Sequence, residues 1–295
     1  MSNWEDIKKN NKFNSLYRFY PYNAHDLDSL SNNYLWFSSY ADFNDPFEDV
    51  FIRNAIFKLS DFEYSDARAI SFIKEFYKDE FDDAKLTELL TKLVVDKNLE
   101  SYFKEKLNRL VETTQRLLDE YIEINKACCF ATDDLNGNKK ALENKLMWSH
   151  YSNGFRGFCI EYDFDLLIDS ISRFTDQAVG LSPIIYSNLS KHHVTDLALQ
   201  TGSIKLDFGS LICMKSNEWA YENEYRLLLS NMPNLNYFSS KSIKSITVGE
   251  KMPENKLNTL VSILKSNPDI SCKLNKAYID PDDFNIKIVE HSTIN

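Results

Sequence analysis

The sequence predicts an α+β fold: a mixed, mostly antiparallel sheet core with an inserted helical subdomain, in a single domain spanning residues 1–295. Short segments rich in β-branched and aromatic residues lie near both ends of the chain, whereas residues 61–126 have a helical period. Strands and helices are interleaved too irregularly for a doubly wound parallel sheet. With 43% hydrophobic and 14% aromatic residues, the chain can bury a large core without disulfides or a metal.

The elements before residue 50 are short. A strand, a helix and a second strand are predicted at residues 16–20, 26–31 and 34–38. In the segment 43–48 that follows, Asn44 and Asp45 stand before Pro46. Asn and Asp side chains favour turns at such positions, so this segment is predicted to be a turn.

The insert at residues 61–126 has apolar residues at helical spacing. They are Leu86, Leu89, Leu90, Leu93 and Val94, and then Leu107, Leu110, Val111, Leu117, Leu118 and Tyr121. No Gly or Pro interrupts the segment, which predicts two or three helices. Because the insert contains no chemical motif, its expected role is packing or partner binding.

The β pattern returns after residue 126. Strands are predicted at residues 127–132, 157–162, 182–186, 211–215, 225–229, 243–248, 270–273 and 286–290. Helices are predicted at residues 164–172, 193–206 and 254–266. The last of these follows Pro253, a residue that often precedes a helix.

Composition excludes several classes of protein. Only 7 glycines are present, and neither a GxGxxG loop nor a Walker A loop occurs. The net charge of −10 opposes a broad nucleic-acid surface or attachment to a membrane surface. We expect a cytoplasmic protein, because the N-terminus is polar, no apolar stretch is long enough to span a membrane, and the five cysteines lack framework spacing.

Two polar clusters lie near the N-terminus. Arg18 follows Tyr17 on the first predicted strand and is either a surface residue or a bidentate ligand for phosphate or carboxylate. Ser38, Asn44 and Asp45 lie between aromatic residues. They are interpreted either as turn residues or as the lining of a pocket mouth.

A third cluster surrounds His150, which stands between Trp148 and Tyr151 in sequence. It is either a buried, hydrogen-bonded histidine or a general base in contact with substrate. Gly154 soon after is interpreted as a turn into the next strand.

The fourth cluster contains two carboxylates and a cation. Glu222, Glu224 and Arg226 alternate in sequence, which predicts that they share one face of a strand. They form either an ion pair with little effect on stability or a site that orients a sugar hydroxyl and activates an acceptor. No CxxC or G-x-S-x-G motif occurs, and no metal is expected.

Taken in order, these clusters resemble a bacterial family known as domain of unknown function 2971. The resembling segments are residues 16–19, 35–38, 43–48, 129–130, 147–151 and 157–160, followed by Trp219, Tyr221, Glu222, Glu224, Tyr225 and Arg226. The resemblance extends from about residue 16 to 229, with the tail from residue 243 also similar. It implies an accessory or effector protein of bacterial genomes, with phage defence or a toxin as the setting.

More distantly, the chain is similar to ADP-ribosyltransferases of the Arg-Ser-Glu type. In these enzymes an Arg lies on a first strand, an aromatic-Ser motif on a second, and Glu-x-Glu precedes a late strand. Arg18, Phe37-Ser38 and Glu222-Asn223-Glu224 stand in that order here. The sequence departs from the pattern at Ser38-Ser39-Tyr40, where these enzymes usually have Ser-Thr-Ser.

This second resemblance implies NAD as substrate and assigns a role to each matching residue. Arg18 would hold the NAD phosphates and Ser38 would support the nicotinamide ribose site. Glu224 would bind the ribose 2′-hydroxyl and stabilise an oxocarbenium-like transition state, while Glu222 would assist the acceptor. The expected reaction is ADP-ribosyl transfer or NAD cleavage, with an unknown macromolecular acceptor or protein partner.

The candidate residues follow from these patterns. The catalytic candidates are Glu224, Glu222 and His150. The candidates for binding NAD are Arg18, Ser38, Tyr17, Phe37, Asn44, Asp45, Trp148, Tyr151 and Arg226. If the protein is such an enzyme, Arg18, Ser38, His150 and Glu224 should converge on one aromatic-lined pocket.

Two alternatives lead to other structures. A non-catalytic sensor or partner-binding module would expose an apolar stripe on residues 61–126 and close Glu222, Glu224 and Arg226 in mutual ion pairs. A metal-dependent nuclease would gather Asp45, Glu48 and Glu222 or Glu224 around Mg²⁺. The acidic chain has no basic track for nucleic acid, which disfavours the nuclease.

Overall fold

A computed structural model describes residues 14–56, 58, 60, 63–134, 139–190 and 208–294. The chain divides into two compact units. The first, the sheet unit, comprises Met1–Asp42, Ile124–Ser187 and Lys215–Asn295; the second, the helical unit, comprises Phe43–Glu123 and Asn188–Met214. Within the described ranges, no helix combines the length and the apolar character needed to cross a membrane.

The strands belong almost entirely to the sheet unit. They are β1 (Ser15–Tyr20), β2 (Tyr34–Trp36), β3 (Asn125–Ala131), β4 (Phe158–Asp163), β5 (Gly180–Pro183), β6 (Ile185–Ser187), β7 (Met214–Ser216), β8 (Glu224–Ser230), β9 (Leu235–Tyr237), β10 (Ile243–Gly249), β11 (Cys272–Ile279) and β12 (Ile286–Ile294).

Eight strands form one sheet in the order β12-β11-β10-β4-β1-β3-β8-β5. Every neighbouring pair is antiparallel except β10 and β11, which are parallel. The parallel pair is joined by a helix, as a crossover between parallel strands requires. The predicted α+β class with a mixed, mostly antiparallel sheet is therefore confirmed.

The helices of the described residues follow in chain order. They are α1 (Ala24–Ser31), α2 (Pro46–Arg53), α3 (Asp66–Phe76), α4 (Asp83–Val95), α5 (Leu99–Ile124), α6 (Lys145–Tyr151), α7 (Phe164–Thr175), α8 (Phe208–Leu211) and α9 (Glu254–Ser266). The predicted helix at residues 254–266 matches α9, whereas the one at residues 193–206 lies outside the described residues.

A hydrophobic core lies on each face of the large sheet. One face is covered by a core that includes Leu30 of α1, Leu167 of α7 and Leu260 of α9. The opposite face carries a smaller aromatic core in which Phe19 and Trp148 meet edge to face, with ring centroids 5.2 Å apart. We call this second side the Trp148 face. Alternate residues of a strand point to opposite faces, so β1 contributes Leu16 and Tyr20 to the first core and Tyr17 and Phe19 to the second.

Two short pairs of strands complete the sheet unit. β2 pairs with β9, and β6 pairs with β7. The strand predicted at residues 182–186 is divided at Ile184 into β5 and β6. The strand predicted at residues 211–215 is wrong in its first half, because α8 ends at Leu211 and β7 starts only at Met214.

Two backbone hydrogen bonds join the residues of the sheet unit that lie on either side of Phe43–Glu123, the first segment of the helical unit. The backbone N–H of Ser38 donates to the carbonyl of Ala127 at 2.8 Å, and the N–H of Ala127 donates to the carbonyl of Ser38 at 2.9 Å. The chain therefore returns to the point in the sheet unit from which it left.

The helical unit contains α2, α3, α4 and all but the last residue of α5. Its core joins α3, α4 and α5 through Phe72, Ile73, Leu86, Leu93 and Phe103. The helical period of residues 61–126 correctly predicted these three helices.

The turn predicted at residues 43–48 is wrong in its second half. Pro46 is the first residue of α2, and the Asp45 carboxylate accepts the N–H of Phe47 at 2.9 Å as the N-cap. Asp at the N-cap and Pro at the first helical position are both favourable for starting a helix. The same residue types favour turns, which is why the sequence pattern was ambiguous.

Candidate functional site

Four charged side chains are buried together at the start of β8. Glu222 and Glu224 are each 4% exposed, Lys215 is 3% exposed and Arg226 is fully buried. We call these four residues the charged cluster. Charged side chains are seldom buried unless they are paired, because taking them out of water is costly.

The charged cluster is held by three ion pairs. The ammonium of Lys215 lies 2.7 Å from Oε2 of Glu222 and 3.0 Å from Oε2 of Glu224. The Nε of Arg226 donates to Oε1 of Glu224 at 2.7 Å. Two carboxylates thus face two cations, and Lys215 bridges both carboxylates.

Asn223 sets the direction of the two carboxylates. Glu222 ends a 3-10 helix at Asn217–Glu222, and Asn223 takes a left-handed conformation with φ of 45° before β8 begins at Glu224. The Asn223 amide donates to the hydroxyl of Thr132 at 2.8 Å, which fixes the turn. Glu222 therefore does not lie on the strand as predicted; the turn, and not strand alternation, brings it to Glu224.

Two tyrosines complete the environment of the carboxylates. The hydroxyl of Tyr151, on α6, donates to Oε1 of Glu222. The backbone N–H of Glu224 donates to the hydroxyl of Tyr186 at 2.8 Å. Asn144 starts α6 as its N-cap, and its amide donates to the carbonyl of Tyr221 at 2.6 Å. These contacts fix α6, which carries Tyr151, against the segment that carries Glu222.

An aromatic rim lies beside the charged cluster. It consists of His150, Tyr151, Trp219 and Tyr221, with the His150 ring centroid 6.3 Å from that of Trp219. The Nδ1 of the exposed His150 lies 2.8 Å from the hydroxyl of Tyr221. Lys215 is 4.9 Å from the centroid of the Trp219 ring, so this ring already has a cation over its face.

The two carboxyl groups have opposite pKa shifts. Burial raises the pKa of Glu222 to about 7, although Lys215 acts against the shift, and the charge of Glu224 adds to it. Burial also opposes ionisation of Glu224, but the charges of Arg226 and Lys215 outweigh it and lower the pKa of Glu224 to about 2. Paired carboxyls with separated pKa values can divide the roles of proton carrier and fixed anion at neutral pH.

The raised pKa of Glu222 predicts a pH dependence of stability. Between the ordinary value of 4.5 and about 7, the folded chain binds more protons at Glu222 than the unfolded chain. The contribution of Glu222 to the free energy of unfolding therefore falls as the pH rises through this range. Glu224 has the opposite effect below pH 4.5, where its contribution is lost as the pH falls towards 2.

Glu222→Gln should remove the first of these effects. Urea unfolding of the wild type and of Glu222→Gln, measured between pH 5 and 8, should differ in slope. The free energy of unfolding of the wild type, taken relative to that of Glu222→Gln, should fall as the pH rises to 7 and then level off. An equal slope in both proteins over this range would contradict the raised pKa.

Arg18 lies on the other face of the large sheet. Tyr17 pairs with Ala131, and Ala131 pairs with Glu224, so these three side chains form one row on the Trp148 face. Since adjacent residues of a strand alternate in direction, Arg18 points away from that row. The predicted convergence of Arg18 with Glu224 is not found.

Arg18 lies among aromatic rings and a thiol. Its guanidinium contacts the sulfur of Cys128 and lies 5.5 Å from the ring centroid of Tyr20 and 6.0 Å from that of Phe130. Burial raises the pKa of Cys128 to about 11, although Arg18 acts against the shift, so this thiol is neutral at pH 7. Within the described part of the chain, no carboxylate lies at ion-pair distance from Arg18.

The other predicted binding residues occupy several places. Phe37 is fully buried in the core opposite the Trp148 face, and Ser38 forms the backbone bridge to Ala127. Tyr17 and Trp148 are both buried in the aromatic core of the Trp148 face. Asn44 and Asp45 belong to the helical unit, where Asn44 is exposed and Asp45 caps α2.

Lys215 belongs to the charged cluster, but the sequence patterns gave it no role. It ends the strand predicted at residues 211–215 and begins the segment 215–226 that contains the fourth polar cluster. One signal was present in the sequence: Glu222 and Glu224 carry two negative charges, and Arg226 alone balances only one. Tyr186 left no signal, since it lies on the three-residue strand β6 and its position depends on the pairing of β6 with β7.

Among the described residues, no group of three or more His, Cys, Asp or Glu side chains is arranged to hold a metal ion.

Comparison with known proteins gives one finding. No curated protein and no solved structure matches the chain. Residues 147–227, which include Tyr151 and the whole charged cluster, match the model of the family described as "Protein of unknown function (DUF2971)", in support of the resemblance carried by the ordered motifs.

Proposed function

We infer that this protein cleaves the glycosidic bond between nicotinamide and ribose in NAD, passing the ADP-ribosyl group to water or to an acceptor. One observation carries this proposal: two carboxyl groups share one lysine at the charged cluster, one with a pKa of about 7 and the other held as an anion. Glycosidic bond cleavage through an oxocarbenium-like transition state typically uses two carboxyl groups in different roles.

The reaction assigns a role to each carboxyl group. The bond between C1′ of the ribose and the pyridinium nitrogen breaks, and its electron pair goes to the nitrogen, so nicotinamide leaves as a neutral molecule. Glu224, kept ionised by Arg226 and Lys215, stabilises the positive charge that develops on the ribose. Glu222 accepts the proton of the attacking hydroxyl, and a base with a pKa near 7 is well matched to this task.

The aromatic rim suits the leaving group. A pyridinium ring is flat and cationic, and Trp and Tyr rings attract cations over their faces. The Lys215 ammonium already lies 4.9 Å from the centroid of the Trp219 ring, so the pyridinium would pack against the rest of the rim. Tyr221 and His150 extend this surface outward.

Nicotinamide release from NAD by the purified protein tests the proposal, with Arg18→Met as an informative variant. Wild type should release nicotinamide. Arg18→Met should release it at an unchanged rate, because Arg18 lies on the opposite sheet face from the charged cluster. The matched control is Arg173→Met, at an exposed arginine on α7. Loss of release in a folded Arg18→Met protein would instead support the phosphate-binding role that the resemblance implies.

We extend the proposal to a bacterial effector that consumes NAD or modifies a target in a toxin or phage-defence setting. The support is the family resemblance, and the acceptor would be a macromolecule. A time course with water as the only acceptor, compared with one in cell extract, separates hydrolysis from transfer.

A non-catalytic partner-binding module is the second candidate. The observation that favours it is that both carboxylates are closed in ion pairs: Glu224 pairs with Arg226 as that alternative expected, whereas Glu222 pairs with Lys215 instead. Absence of both nicotinamide release and NAD binding by calorimetry in the wild type would select it over the enzyme.

A further inference from the structure

A cleft of about 370 Å³ opens on the sheet unit beside Tyr17. Its apolar wall is formed by Leu142, Ile286 and Ile288. Small-molecule sites usually have such a volume and combine apolar walls with a few polar groups. Tyr17, a predicted binding residue on the interior strand β1, lines this cleft and is buried.

Strand pairing fixes the distance from the cleft to the charged cluster. Tyr17, Ala131 and Glu224 lie in one row across three adjacent strands. Neighbouring strands are 4.7–4.9 Å apart, so the backbones at Tyr17 and Glu224 are separated by about 10 Å. The cleft and the charged cluster therefore lie on the same sheet face, within the length of one dinucleotide.

Among the described residues, Lys140 and Lys287 are the two cations that line the cleft, beside the carboxylates of Asp133 and Glu143. Lys140 lies 3.3 Å from Glu143, and Lys287 lies 3.0 Å from Asp283, all with exposed side chains. Exposed ion pairs of this kind contribute little to stability. Both ammonium groups can therefore turn to a phosphate at low cost.

Asp133 supplies an acceptor inside the cleft. Its Oδ1 accepts the backbone N–H of Ala141 at 2.8 Å, and its Oδ2 is 3.5 Å from the hydroxyl of Tyr17. The longer of these contacts leaves Oδ2 available for a second donor. A carboxylate with a free acceptor position is well suited to hydrogen-bond a ribose hydroxyl.

We propose that this cleft binds the ADP half of NAD, with the adenine against the apolar wall, the diphosphate at Lys140 and Lys287, and a ribose hydroxyl at Asp133. The inference rests on the proposed function, since it assumes that NAD is cleaved at the charged cluster. It adds a specificity site: cleavage would require an adenine nucleotide and not the nicotinamide riboside alone.

The test uses ADP as the probe in calorimetry and as an inhibitor of nicotinamide release. The double variant Lys140→Met/Lys287→Met should bind ADP at least tenfold more weakly, a difference of about 1.4 kcal/mol. Its KM for NAD should rise in proportion while kcat is unchanged. The control is Lys273→Met, which removes a comparable exposed lysine paired with Glu290 on the same sheet.

Each result separates this inference from the proposed function. Nicotinamide release without ADP binding, or with equal ADP binding in the double variant, overturns the ADP site and leaves the enzyme intact. Lysine-dependent ADP binding without nicotinamide release supports the cleft as a nucleotide site and overturns the cleavage reaction. Weaker ADP binding in Lys273→Met, equal to that of the double variant, would overturn the site by showing a general charge effect.

Discussion

Glu222→Gln should lower the rate of nicotinamide release by about 10²- to 10⁴-fold, the usual contribution of a general acid or base. Glutamine keeps the shape of the side chain and its hydrogen bond from Lys215, but it cannot accept a proton. The charged cluster should tolerate this change, because burial already raises the pKa of Glu222 towards its neutral form. The loss should therefore appear in kcat, with the folded structure retained.

Glu218→Gln is the matched control for this prediction. Glu218 lies on the same 3-10 helix as Glu222 but is exposed. It should retain the wild-type rate, and both variants should give the wild-type circular dichroism spectrum. If Glu222→Gln cleaved NAD at the wild-type rate, Glu222 would not be the base, and the role of the charged cluster would be structural.

Glu224→Leu should be the most destabilising single change in the charged cluster. It leaves Arg226 and Lys215 with one carboxylate between them in a fully desolvated place. Breaking a buried ion pair by removing one partner typically costs about 3–5 kcal/mol. The measurement is the urea midpoint, with an unchanged m-value as the sign that only stability has changed.

The double variant Glu224→Leu/Arg226→Met completes this test. Removing both partners leaves Lys215 paired with Glu222, so the remaining charges balance. The double variant should lose less stability than the sum of the two single changes, with a coupling of up to about 3 kcal/mol. Additive losses would mean that Glu224 and Arg226 do not stabilise each other in the folded protein.

Local sequence patterns predicted most of the fold. Strand and helix periods are local properties, so β1, β4, β8, β10 and α9 were found close to their observed bounds. Strand order was not accessible, because the pairing of β1 with β4 joins residues about 140 positions apart and depends on the whole sheet. α6 was missed because one short helix gives too few turns to establish a period.

Only part of the candidate site was accessible from the sequence, because some of its residues are close in the chain and others meet only through strand pairing. Glu222, Glu224 and Arg226 do lie close together, since they fall within five consecutive positions and the turn at Asn223 brings Glu222 to Glu224. Tyr151 joins them through its hydrogen bond to Glu222. Arg18 was grouped with them by motif order, which carries no information about sheet faces. A shift of one residue along a strand reverses the face, and only the register of β1, β3 and β8 decides it.

The Ser38–Ala127 bridge has a consequence for how this chain can change over evolution. Ser38 and Ala127, on either side of the first segment of the helical unit, exchange a pair of backbone hydrogen bonds. That segment is therefore a loop whose two ends are fixed at one place in the sheet unit. The entropy of closing a loop grows only with the logarithm of its length, about 0.6 kcal/mol for each doubling. Related chains can therefore lengthen or shorten their helices between these two residues and still keep the charged cluster in the same geometry.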